Sequence, residues 1–267
     1  MQAALAFYRE AGAGPGVVCL HANASSSTQW RALMDQLAPD FHVLAADGYG
    51  AGKSPAWPGG RALGLRDEAA LLEPVFARAG QPLALVGHSY GAAVALVAAV
   101  AQPERIRALA LYEPTLFSLL DAEGPPPNDA DGIRHAVARA GRALDRGDPD
   151  GAAECFIDYW MGPGAWRRTP APRQPAIAAA VTQVRDWAGA LFNEGTALAA
   201  FSRLQIPVLY LLGQDSPASS RGVARLLAGA LPQVRVVEFE GMGHMGPITH
   251  PERVNPAIHD FLGRLAW

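Results

Sequence analysis

The sequence predicts an α/β protein: a mostly parallel, doubly wound sheet flanked by helices, with one helical insertion. Three observations carry this reading. Short apolar runs rich in Val, Leu and Ile recur at Val17–Leu20, Val43–Ala46, Leu83–Val86, Ile106–Leu111, Val208–Leu212 and Val234–Phe239. Such continuous runs suit strands buried on both faces. Helical patterns separate many of them, and strands alternating with helices argue for a parallel sheet covered on both sides. The alternation then lapses once, between about Pro114 and Ser202.

Taken in order, the first helical patterns are Trp30–Leu37, Leu63–Ala79 and Ser89–Ala101. The lapse opens with "GPPPND", an irregular linker by its prolines. Helical stretches follow at Ile133–Leu144 and Ala152–Tyr159, then a Pro/Gly-broken patch and a further helix at Ile177–Phe192. No strand pattern lies among them, and the sheet resumes at Ile206.

The chain has 267 residues, of which 50% are apolar, enough for one large domain with a substantial core. A net charge of −3 provides no basic field for nucleic acid and no polybasic patch for a membrane. Cys19 and Cys155 fit neither a disulfide scaffold nor a zinc cluster, and are expected to be reduced and packed as small apolar groups. The first residues, "MQAALAFYREAGAG", show no basic start before a long apolar run, so no signal peptide is expected. The longest apolar stretch, Ala92–Ala101, falls well short of the roughly 20 residues of a membrane span. A cytoplasmic protein is the expectation.

"GYGAGKS", Gly48 to Ser54, imitates a phosphate-binding loop. That loop needs a Gly five positions before the Gly-Lys-Ser end, so that successive N–H groups wrap the phosphates. Here that position is Asp47, an anion, and Gly48 is one residue too close. The segment reads as a tight turn after a strand.

Chemistry concentrates at strand ends, where ligands of open α/β sheets bind. After Leu83–Val86 comes "GHSYG", Gly87 to Gly91, followed at once by an apolar helix. This is a G-x-S-x-G nucleophile elbow in its strand–turn–helix context, and it exposes Ser89 on a strained turn. A serine hydroxyl needs a base. His244, in the glycine-rich "EGMGHMG" after Val234–Phe239, has the best setting of the seven histidines; His88 reads as structural. The imidazole in turn needs a carboxylate to fix its tautomer. Asp215 in "VLYLLGQDSP" and Glu113 in "LYEPT" both follow strands and both lie between Ser89 and His244. Asp215 is preferred, because its loop is longer and better able to reach.

With these residues in place, the sequence resembles the α/β-hydrolase family with a helical cap, over nearly the whole chain. The resemblance implies a core at 1–113 and 203–267 and a cap, or lid, at 114–202. It likens His21–Ala22–Asn23 to the family's His-Gly-x strand end, so that the N–H groups of Asn23 and Tyr90 form an oxyanion hole. Ala22 stands where Gly is usual. The resemblance also likens "DGYGAGKS" to a structural strand-end loop, and "GHMGPITHPERV" to the catalytic-histidine loop and the helix after it.

The reaction expected is acyl transfer to water by Ser89, His244 and Asp215, with no cofactor and no metal. The partner is a small-molecule substrate, with neither nucleic acid nor membrane; the oligomeric state is not legible. Trp30, Phe117, Trp160 and Trp166 are candidate substrate-binding residues. A carboxylic ester or lactone hydrolase comes first. A C–C bond hydrolase of a ring-cleavage product, which needs basic groups such as Arg167, Arg168 or Arg185, comes second, beside a cofactor-free perhydrolase. A slow, receptor-like ligand-binding protein is the non-enzymatic alternative. Serine at the nucleophile position speaks against haloalkane dehalogenase and epoxide hydrolase chemistry, which in related families use aspartate there.

Overall fold

The computed structural model describes residues 5–267; the first four residues of the N-terminal stretch lie outside them. Seven strands form one sheet: β1 (Tyr8–Ala11), β2 (Gly16–Leu20), β3 (His42–Ala46), β4 (Leu83–His88), β5 (Ile106–Tyr112), β6 (Val208–Gly213) and β7 (Val234–Phe239). Their spatial order is β1-β3-β2-β4-β5-β6-β7. Six strands are parallel, and β1 pairs antiparallel with β3. The sequence pattern misses β1 because "YREA" carries two charges and half-buried side chains, as an edge strand can.

Alternation along the strands divides the core in two. Val18, Leu20, Leu85, Leu109 and Tyr210 face one side. Val17, Cys19, Val86, Ala110 and Leu209 face the other. A period of two does this automatically, since successive side chains leave opposite faces. Helices α1 (Arg31–Leu37), α2 (Leu65–Ala79) and α3 (Tyr90–Ala101) follow β2, β3 and β4. The core layer containing Val17 takes in side chains of α1, and that containing Val18 takes in those of α2 and α3. Helix α3 has ten of its twelve residues buried and little polar surface, which a central position demands.

Between β5 and β6 the chain is helical: α4 (Ser118–Glu123), α5 (Asp131–Asp145), α6 (Pro149–Met161), α7 (Ala165–Arg168), α8 (Gln174–Val181), α9 (Val184–Phe192) and α10 (Leu198–Phe201). The helix expected over Ile177–Phe192 is broken at Thr182–Gln183. There the Thr182 hydroxyl donates back to Ala179 O, and Gln183 Nε2 reaches across to Gly50 O, 133 residues away. Side chains of α5, α6, α8 and α9 merge with the sheet's own core into one cluster. After β6 come α11 (Ala218–Ala230), then β7, α12 (Gly246–Thr249) and α13 (Pro251–Gly263), which packs on α1. Among the described residues no helix is long and apolar enough to cross a membrane.

The imitation phosphate loop is closed on itself. Asp47 is buried, and its carboxylate accepts from Ser27 N (2.5 Å) and Lys53 N (2.9 Å). The Ser54 hydroxyl donates to Asp47 O at 2.7 Å. Gly52 sits at φ 53°, and a Cβ there would lie 2.1 Å from Asp47 Oδ2, so glycine is required. The Asp47 carboxylate thus fills the turn whose backbone a phosphate would need.

Candidate active site

Ser89 stands between β4 and α3 with φ 55° and ψ −116°, a conformation costly for a side-chain-bearing residue. Two bonds hold it there: Ser89 N–H donates to Tyr112 O (2.9 Å), and Ala93 N–H donates to Ser89 O (3.0 Å). The flanking glycines are sterically forced. A Cβ on Gly87 would meet Ala92 Cα at 2.5 Å, and one on Gly91 would meet Leu20 O at 2.4 Å.

His244 Nε2 accepts from the Ser89 hydroxyl at 2.9 Å, and both groups are buried. On its other side, His244 Nδ1–H donates to Glu113 Oε2 at 2.6 Å. The carboxylate beside the imidazole is therefore Glu113, and the preference for Asp215 is corrected. The turn after β6 closes with Ser216 N–H on Gly213 O (3.2 Å), which turns Ser216 inward and leaves Asp215 exposed. The Ser216 hydroxyl then donates to Glu113 Oε1 (2.5 Å), as does Gly213 N–H (2.7 Å). Glu113 reaches the imidazole because the chain kinks to φ 46° as it leaves β5. Its carboxylate, wholly buried, accepts three hydrogen bonds, which compensates a charge taken out of water.

Further groups hold the histidine, and the sequence pointed to none of them in this role. Ser220 Oγ lies 3.3 Å from His244 Nδ1, and Tyr112 O–H donates to Gly243 O at 2.8 Å. His88 Nε2–H donates to His244 O (2.8 Å), while Gln29 Nε2–H donates to His88 Nδ1 (3.1 Å). Burial pushes the His88 pKa well down, so it remains a neutral strut. Gln29 Oε1 accepts from Ala22 N–H, tying the end of β2 to the elbow. No sequence signal marks these contacts, since they join residues 59 and 156 positions apart.

The loop after β2 takes positive φ at Ala24 (54°) rather than at Ala22. Alanine at position 22 is therefore not in a left-handed conformation. His21, its pKa lowered chiefly by burial, donates from Nδ1 to Ala22 O and accepts at Nε2 from Gly48 N–H. Asn23 lines the same cavity as Ser89, and Tyr90 supplies the first N–H of α3, which has no intrahelical acceptor.

That cavity holds about 460 Å³ and is walled by Phe156, Ile157, Trp160, Ile177 and Ile248. A second, of about 590 Å³, adjoins it across Asn23, Ala24, Ser25, Ile177 and Arg173, and contains Tyr90 and Glu68. Trp160 stacks on the His244 ring, centroids 3.9 Å apart and planes 25° apart. Phe117 borders a recess of about 20 Å³ that also touches Ser89. The other two aromatic candidates are elsewhere. Trp30 is 1% exposed in the core on the far side of the sheet, packed with α1, and Trp166 is buried among the helices between β5 and β6, lining none of these cavities. Arg167 and Arg185 are paired with Glu154 and Asp145. Among the described residues no cluster of His, Cys, Asp and Glu is arranged to hold a metal ion.

Comparison with known proteins shows the family. Over 262 residues the chain is 28% identical to a pimeloyl-[acyl-carrier protein] methyl ester esterase of Chromobacterium violaceum, covering 96% of this chain and 97% of that one. It is 24% identical to the (E)-2-((N-methylformamido)methylene)succinate hydrolase of Acinetobacter baylyi, covering 96% and 94%. The crystal structure of an alpha/beta hydrolase from Sphaerobacter thermophilus superposes with a TM-score of 0.75 at 27% identity, covering 96% of each chain. Residues 15–251 match the family described as the alpha/beta hydrolase fold, and the chain belongs to that family.

Proposed function

We propose that this protein hydrolyses a small carboxylic ester or lactone through an acyl-enzyme on Ser89. The observation that carries the reading is the unbroken hydrogen-bonded line Ser89–His244–Glu113, buried beneath a cavity walled largely by apolar side chains. Two curated relatives named as an ester esterase and a succinate-derivative hydrolase support it.

In this mechanism Ser89 Oγ attacks the ester carbonyl as His244 Nε2 takes its proton. Glu113, already accepting from Nδ1–H, stabilises the imidazolium that forms. The N–H groups of Asn23 and Tyr90 receive the oxyanion; losing one such donor typically costs about 3 kcal/mol of barrier. The imidazolium returns its proton to the leaving alcohol. His244 then deprotonates water, which attacks the acyl carbonyl; as the bond to Ser89 breaks, the imidazolium returns that proton to Ser89 Oγ and the acid leaves. Trp160, stacked on the imidazole, keeps bulk water from that face. The helices between β5 and β6 act as a lid, and the substrate enters beneath it.

The test is hydrolysis of p-nitrophenyl esters of increasing acyl length by wild type and Ser89→Ala. Sustained turnover, lost in Ser89→Ala, is expected. A burst of one product per protein and no more would make the protein a receptor that acylates once. Turnover surviving in Ser89→Ala would overturn the assignment.

A further inference from the structure

We propose that Arg168 and Arg173 form an anion-recognition site at the active cavity, selecting esters that carry a carboxylate or phosphate some carbons away from the scissile carbonyl. This rests on the ester-hydrolase reading above and names its substrate class.

Both arginines line the cavity that contains Ser89 and His244, and Arg173 also lines the adjoining one. Neither has a carboxylate partner among the described residues. Arg168 donates only to the backbone oxygen of Pro163, at 3.2 Å. In the same helical segment Arg134 is paired with Asp121 and Asp131, Arg167 with Glu154 and Arg185 with Asp145, while Arg139, Arg142 and Arg146, also without a carboxylate partner among the described residues, line neither cavity. Among the described residues no Asp or Glu lines the Ser89 cavity, and Glu68 lines only the adjoining one, although the chain is net acidic at −3. The cavity wall thus carries two uncompensated positive charges in a protein of opposite sign, and such a cleft concentrates anions.

The segment bearing them is braced. Gln174 Nε2 donates to Trp166 O (3.2 Å) and Thr169 O (3.0 Å), and the Thr169 hydroxyl donates to Ala165 O (3.0 Å). Trp166 N–H and Gly164 N–H are both held by Asp158 at 2.8 Å. The backbone that carries them is therefore fixed, while the two side chains, at the end of α7 and five residues beyond it, are exposed and free to turn towards a ligand. Their planar fork matches a carboxylate or a phosphate. The same cavity is lined by Ile157, Trp160 and Ile177, apolar surface that suits a short hydrocarbon spacer between ester and anion.

The experiment compares pairs matched in ester and chain, one member carrying the anion. Monomethyl adipate is set against methyl hexanoate for the carboxylate, and 2-acetoxyethyl phosphate against butyl acetate for the phosphate. Wild type is expected to favour at least one anionic member by about tenfold or more in kcat/KM, mostly through KM, which is the scale of one charge-assisted contact. The more favoured pair identifies the anion. In Arg168→Gln/Arg173→Gln the ratio is expected to fall towards one. Arg167→Gln and Arg185→Gln, whose side chains point to other partners, keep the wild-type ratio. A wild-type ratio near one for both pairs, or a preference that survives the double substitution, overturns the inference while leaving the ester-hydrolase reading to its own p-nitrophenyl test. Should no ester be turned over, titration calorimetry of monomethyl adipate and 2-acetoxyethyl phosphate into Ser89→Ala, with and without both arginine substitutions, decides it. Binding lost with the arginines supports the site; no binding, or binding indifferent to them, overturns it.

Discussion

Glu113 and Asp215 are both carboxylates just past neighbouring strands, and only one touches His244. Nothing in residue type separates them; the kink at φ 46° and the inward turn of Ser216 do. In Glu113→Gln the amide no longer offers the imidazole a charge and can favour the wrong tautomer. We expect kcat on p-nitrophenyl esters to fall by about 10³–10⁴-fold. Asp215→Asn, altering an exposed side chain, should stay within about twofold of wild type. Equal losses in the two variants would contradict the arrangement. Glu68 gives a second prediction. Burial, the largest influence, raises its pKa from 4.5 to about 7, against the opposing bonds from Tyr49 N–H and Tyr90 O–H. A carboxyl whose folded-state pKa is raised holds its proton more tightly folded than unfolded. Its contribution is therefore complete below about pH 4.5, declines as pH rises towards 7, and is level above that. The difference is on the order of 3 kcal/mol. Urea unfolding at pH 5, 6, 7 and 8 should show Glu68→Gln with a flatter profile and higher stability than wild type at pH 8. Parallel profiles would mean that Glu68 is ionised in the folded protein at all these pH values.

At the level of elements, the elbow depends on how closely α3 approaches β2. Gly91 opens α3 against the Leu20 and His21 carbonyls, with Cβ contacts of 2.4 Å and 2.6 Å if it were alanine. Those atoms are backbone and cannot rotate away. Alanine gains up to about 1 kcal/mol of helix propensity over glycine, and the overlap outweighs it. Gly91→Ala should destabilise by about 3 kcal/mol, lowering Tm by several degrees, and should reduce kcat because the displaced strand end carries Asn23. An unchanged Tm would show that the strand end yields freely. The turn after β6 is the other critical element. Ser216→Ala removes one of the three hydrogen bonds on Glu113 and leaves the others in place. A loss of about tenfold in kcat with KM unchanged is expected, with Ser216→Thr restoring part of it. A change confined to Tm would mean that the serine serves stability alone.

Over the whole molecule, two apolar layers cover the sheet, and one of them continues without a break into the helices between β5 and β6. Trp160 and Phe156 belong to the same cluster as Leu85 and Leu109. A segment joined to the sheet through a shared core should melt with it. Far-ultraviolet dichroism and tryptophan fluorescence, which reports on six tryptophans, three of them (Trp160, Trp166 and Trp187) in the helical segment, are expected to give coincident transitions. An earlier fluorescence transition would show that the helical segment opens on its own.

Periodicity and local motif determined much of this protein. Six of the seven strands, the position of the helical segment, and Ser89 and His244 as a pair at strand ends all follow from short-range pattern, because alternation and turn chemistry are local. The pattern could not decide which strand-end carboxylate faces the imidazole, since that depends on the direction in which two turns leave neighbouring strands. Nor could it tell Trp30, packed beneath the sheet, from Trp160, stacked on His244; the first follows an expected site loop in sequence, and the second lies in the helical insertion, far from every expected catalytic residue. The struts Gln29, Ser216 and Ser220 were equally out of reach, as were the partners of His88, which the sequence had marked only as structural. Each acts on a partner distant in sequence, and hydrogen-bond geometry across such separations exists only once the sheet has brought the strand ends together.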